Sequence, residues 1–91
     1  MRSSQDLALL RALAAEVKSL RAVLEISQDE LAHRAGLART FVGKIEIAKN
    51  QPSLTALFKL AQGLGILPQD LIAAVGARYK RELRVQRAHE R

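Results

Sequence analysis

The chain contains no cysteine, which excludes disulfides and thiolate metal sites and removes any need for an oxidising compartment. Aromatic residues make up only 3% of the sequence, although 48% of it is hydrophobic, so a core must be assembled from Leu, Ile, Val and Ala, a composition that favours helices. Long apolar runs are missing too. Arg11, Glu16, Lys18 and Arg21 interrupt the most apolar region, so neither a bilayer-spanning segment nor a signal-peptide core is expected, and the cytoplasm is the expected location. No stretch shows sustained alternation of β-branched residues, so no strand is expected. His33 and His89 lack spaced His or carboxylate partners, and no Gly-rich phosphate loop, nucleophile elbow or paired-carboxylate signature occurs. Neither a metal, a cofactor nor a catalytic role is expected, and His33 reads as a surface residue.

With 91 residues the chain suffices for one domain with a small core. Its net charge is +6, but the excess is not central. Residues 22–70 carry equal numbers of basic and acidic side chains, whereas the surplus lies in residues 1–21 and, above all, in residues 71–91. Charge alone therefore does not locate a binding surface for nucleic acid.

Ser27 to Glu46 carry the clearest local pattern, two short helices joined by a Gly turn, which is how a helix-turn-helix looks in sequence. Ser27 and Glu30 have the spacing of a capping box, Leu31, Ala32 and Ala35 form an inward face, Gly36 can adopt φ > 0, and Leu37 pins the turn. In the second helix Val42 and Ile45 point inward. Arg39, Thr40, Gly43 and Lys44 point outward, a face suited to a DNA groove.

Around this pair the periodicity predicts an all-α, five-helix bundle. Helix 1 is expected from about Gln5 to Leu24, capped by Ser4 or Ser3, with Leu9, Leu13, Val17, Leu20 and Leu24 inward. Helices 2 and 3 are expected at Gln28–Ala35 and Arg39–Ile47. Helix 4 follows a Ser53 cap, buries Leu54, Leu57, Phe58, Leu60, Ala61 and Leu64, and ends at Gly63 and Gly65. Helix 5 begins at Pro68 and packs through Leu71, Ile72 and Val75. Residues 1–75 form the helix-turn-helix domain. Residues 76–91 form a basic tail or an extension of helix 5, with three courses open: a solvated end, a helix pairing with a second subunit through Tyr79 and Leu83, or a segment lying on phosphates or an acidic membrane. Gly76 opposes helical continuity by roughly 1 kcal/mol.

Several fragments, in order, resemble the phage repressor and Cro type of helix-turn-helix, the XRE family: V-K-S-L-R at Val17–Arg21, I-S-Q-D-E-L-A at Ile26–Ala32, A-G-L at Ala35–Leu37, Q-P-S-L at Gln51–Leu54 and L-A-Q-G-L-G-I at Leu60–Ile66. The resemblance covers Val17 to Leu71. Within it, R-T-F-V-G at Arg39–Gly43 is similar to a stretch common in small controller proteins of restriction-modification systems. The resemblance implies a repressor-like bundle and a regulator that binds double-stranded DNA as a homodimer. Arg39, Thr40 and Lys44 would face base edges, while Gln28, Lys49, Asn50, Gln51 and Ser53 would hold the DNA backbone. Arg21 and Glu46 would pair across helices 1 and 3. An antitoxin-like module, masking a protein such as a toxin with the same fold, is the alternative.

Three positions depart from the family pattern. Ala38 replaces a capping Ser or Thr, at a cost of about 1 kcal/mol. Phe41 stands where tyrosine is common and is expected at the flank of helix 3. Ile47 and Ala48 replace a residue followed by glycine, so the end of helix 3 is expected to lack its φ > 0 residue and to exit along a different path.

Overall fold

In the computed structural model, which describes residues 6–89, five helices follow one another: α1 (Leu7–Leu24), α2 (Gln28–Ala35), α3 (Arg39–Glu46), α4 (Leu54–Leu64) and α5 (Pro68–His89). No strand occurs among the described residues. Helix α1 starts two residues later than expected, because Asp6 is the cap: its Oδ1 accepts from the Leu9 amide at 3.1 Å. Ser3, Ser4 and Gln5 lie outside the described residues. Ser27 and Ser53 cap α2 and α4 in the same way, accepting from the Glu30 and Ala56 amides at 3.0 Å each. The reciprocal half of the Ser27 capping box is absent, because the Glu30 carboxylate instead accepts from Arg34 one turn along, at 3.0 Å.

Helices α1 to α4 all end the same way, with a left-handed residue whose amide and the next one reach back to the helix carbonyls. The left-handed residues are Glu25, Gly36, Ala48 and Gly65. After α1, α2 and α4 the next residue is apolar and packs on the core, namely Ile26, Leu37 and Ile66. After α3 it is Lys49, whose amide bonds to the Lys44 carbonyl at 2.9 Å. The expectation at this exit is thus corrected. The helix stops at Glu46 and the usual turn forms, with Ala48 accepting φ = 58° despite its Cβ.

Every helix contributes to one core. Val17, Leu31, Val42, Ile45, Leu60 and Leu71 are the largest fully buried side chains, each contributing about 1.5–3 kcal/mol through burial. Gly63 belongs to this packing and not to the end of α4. A Cβ there would lie 2.9 Å from Ala35 Cβ and 3.0 Å from the Ala35 nitrogen, so α2 and α4 cross at glycine distance. Other positions expected inside are open to solvent, namely Leu9, Leu24, Leu54, Phe58 and Ile72. The apolar arcs of α1, α4 and α5 are wider than the surface their neighbours cover, and Leu10 and Ala14 take the inward places on α1.

Beyond Gly76 the chain stays helical to His89. Two contacts fold this stretch onto α1: Arg78 Nε donates to Glu16 Oε1 at 2.6 Å, and the Tyr79 hydroxyl donates to Asp6 Oδ2. The Tyr79 hydroxyl, aided by the Leu9 amide, holds the Asp6 carboxyl below the usual range, and Asp6 in turn pushes the Tyr79 phenol up. The Tyr79 hydroxyl is therefore engaged by α1 of the same chain. No single helix among the described residues is long and apolar enough to cross a membrane.

Candidate nucleic-acid interface

Helix α3 owes its orientation to one fully buried face and one buried carboxylate. Val42 and Ile45 are inaccessible to solvent, Phe41 packs against the core edge, and Glu46 is only 3% exposed. Such a charge is tolerable only if its oxygens are satisfied. Here Arg21 grips both of them, Nε to Oε2 at 2.8 Å and Nη2 to Oε1 at 2.9 Å, while Gln28 Nε2 donates to Oε1 at 2.9 Å. The third arm of the guanidinium, Nη1, donates to the Ile26 carbonyl at 2.9 Å, tying the end of α1 into the same knot. One carboxylate thus joins α1, α2 and α3. Burial pushes the Glu46 carboxyl up, but the bonds from Arg21 and Gln28 and the positive field of Arg21 and Lys18 outweigh it and hold the group below the ordinary glutamate range. The same pairing raises the Arg21 guanidinium further above neutrality.

With its inner face fixed, α3 presents Arg39, Thr40 and Lys44 to solvent, with half-buried Gly43 among them. No side chain caps the helix at Ala38. The amides of Phe41 and Val42 return to the Ala38 carbonyl at 3.1 and 3.2 Å, leaving the first-turn donors of α3 without a side-chain acceptor. Lys49, Gln51 and Ser53 are exposed on the segment that leads from α3 into α4, and Asn50 is half-buried there. Ser53 also serves α4 as its cap. Gln28 is set apart from this group, since its amide nitrogen is engaged by Glu46.

One further side chain belongs to this surface, that of Asp29. Asp29 Oδ1 lies 3.2 Å from Arg39 Nε, linking the first turn of α2 to the first turn of α3. Nothing local signals it, because the two residues meet only once the turn at Gly36 has reversed the chain. Among the described residues no group of three or more His, Asp or Glu side chains is placed to hold a metal ion.

The helix-turn-helix family profile matches residues 17–71. Control protein C.SmaI of Serratia marcescens is 34% identical over 64 residues, covering 70% of this chain and 76% of its own. The restriction-modification controller protein C.AhdI from Aeromonas hydrophila superimposes with a TM-score of 0.65 at 35% identity, over 68% of this chain and 94% of its own. The clp gene regulator ClgR from Corynebacterium glutamicum shares the fold, with a TM-score of 0.74 over 90% of this chain and 83% of its own, at 23% identity. A five-helix architecture, a helix-turn-helix braced by a buried carboxylate and these relatives agree: the chain belongs to the XRE-type helix-turn-helix family.

Proposed function

We propose that the protein is a sequence-specific DNA-binding transcriptional regulator that places α3 in the major groove of a palindromic operator as a homodimer. The observation that carries this reading is the division of α3 into a braced inner face and an outer face of Arg39, Thr40 and Lys44. A helix held at a fixed angle by Glu46 can present the same side chains to the same base pairs each time. Arg39 offers a bidentate fork to guanine, Thr40 a methyl contact to thymine, and Lys44 a base or phosphate contact one turn later. Lys49, Asn50, Gln51 and Ser53 follow as phosphate contacts, with Gln28 at the opposite end of the motif. Leu54, Phe58, Ile66 and Pro68 line an open apolar groove at the α4–α5 corner, and apolar surface of that kind supports self-association. The controller proteins among its relatives make a role in regulating a restriction-modification system the natural setting.

Selection of bound duplexes from random DNA tests this directly. A palindrome with half-sites about 34–36 Å apart is expected. Arg39→Ala should relax the preference at one guanine, costing about 1–3 kcal/mol, whereas replacement of a phosphate-binding lysine should weaken all sequences alike and lower the salt slope by about one. Failure of the wild-type protein to enrich any sequence would refute the reading and return attention to a protein partner.

A further inference from the structure

Arg39 does not project freely from α3. Its Nε faces Asp29 Oδ1 at 3.2 Å, and its Nη1 rests over Gly43, where a Cβ would come within 3.3 Å. Gln28 Oε1 faces the same point, 3.7 Å from that Cβ position, while its amide nitrogen is anchored on Glu46. The guanidinium thus lies in a shallow cradle formed by an acidic side chain, a bare stretch of helix and an oriented amide oxygen. Pairing through Nε leaves the two terminal nitrogens as the edge available to a ligand.

We propose that Asp29 is a specificity-determining residue, which orients Arg39 for a base edge and disfavours its use on phosphate. The inference rests on the DNA-binding reading above. An Arg39 that approaches guanine end-on, through its two terminal nitrogens, keeps its pairing with Asp29. An Arg39 that swings to a backbone phosphate abandons Asp29, leaving an uncompensated carboxylate beside a polyanion. Non-specific complexes lose the ion pair and gain a repulsion, and specific complexes do neither. Gly43 is part of the device, because a Cβ there would press on the Arg39 Nη1 at 3.3 Å and shift the guanidinium from its present seat. Asp29 is 80% exposed and Arg39 54%, so the contact is a surface ion pair that biases orientation without holding up the fold.

The test compares wild type, Asp29→Asn, Arg39→Ala and the double variant on two duplexes of equal length: the sequence that wild type selects from random DNA, and a scrambled version of it. Asp29→Asn is expected to bind the scrambled duplex more tightly while its affinity for the selected one changes less, so that the specificity ratio falls about two- to fivefold, the range of an exposed ion pair. In the Arg39→Ala background the same substitution should shift both duplexes equally, and thermal melts should be unchanged by it. An equal gain on both duplexes with Arg39 present would overturn the proposal, since that is mere charge removal. So would a lowered melting temperature with an unaltered ratio, which marks a simple tether between helices. If wild type selects no sequence at all, the DNA-binding reading falls and this inference with it; an unchanged ratio in a protein that does select a site refutes Asp29 alone.

Discussion

Replacing Glu46 by alanine removes an acceptor that satisfies three hydrogen bonds from two side chains. The loss of a buried charged partner reaches about 3–5 kcal/mol when the survivor is sealed from water. Arg21 is not sealed: its side chain is 23% exposed and keeps the Ile26 carbonyl, so part of its charge is rehydrated. Gln28, half-buried, can also turn to solvent. A cost of about 2–3 kcal/mol follows, and for a domain of this size that lowers the melting temperature by roughly 8–24 °C. Circular dichroism melts measure it. The pH dependence gives a second reading with a definite sign. Because the folded carboxyl titrates below the unfolded one, the unfolded chain takes up the proton first on acidification. The stabilisation is complete above the ordinary glutamate range, about pH 4.3, and is lost as pH falls through the folded value. The gap between wild type and Glu46→Gln should therefore be widest near neutrality and close in acid. An Arg21→Met, Glu46→Leu double variant should be less destabilised than the sum of its single changes. A Glu46→Ala protein melting within about 3 °C of wild type, where at least 8 °C is expected, would refute the brace, as would a Glu46→Gln gap indifferent to pH.

The remaining predictions concern the backbone. Ala48→Gly should stabilise by about 0.5–1 kcal/mol, since relief of a left-handed strain of about 1–2 kcal/mol exceeds the extra freedom glycine brings to the unfolded chain; chemical denaturation would show it as a higher midpoint with unchanged slope. Ala38→Ser should add about 0.5–1 kcal/mol by supplying the missing acceptor to the first turn of α3, measurable in the same titration. Gly63→Ala should destabilise by about 1–3 kcal/mol, because the intruding methyl meets the Ala35 backbone, which cannot yield as a long side chain would; a thermal melt no lower than wild type would show that α2 can move away freely.

Local signals were enough for α2 and α3, where a capping serine, a glycine turn and apolar residues three apart all occur within twenty positions. They were insufficient wherever more apolar surface exists than the neighbours cover. Leu54 and Phe58 sit on the same arc as Leu57 and Leu60, and only packing decides which pair faces inward. Gly63 looked like a stop signal because glycine often follows a helix, yet its contact lies on Ala35, 28 positions earlier. Ala48 shows tertiary demand overriding residue preference, since the chain must reverse there to deliver α4. The outward set on α3 was legible, but the contacts of Arg39 with Asp29 and of Gln28 with Glu46 were not, because they depend on how the two helices meet.

The bonds of α5 to α1 close the fold across nearly its whole length. Arg78 and Tyr79 lie 62 and 73 positions from Glu16 and Asp6, and α5 is the neighbour against which α1 packs most extensively. The contacts among α1, α2, α3 and α4 close much shorter loops, so the docking of α5 on α1 carries the largest closure entropy in the fold. Arg21 is independent of that closure, since its partners are Glu46 and the Ile26 carbonyl. Loss of the α5–α1 bonds is therefore expected to release the far half of α5 while the Arg21–Glu46 brace, which spans only 25 positions, stays closed.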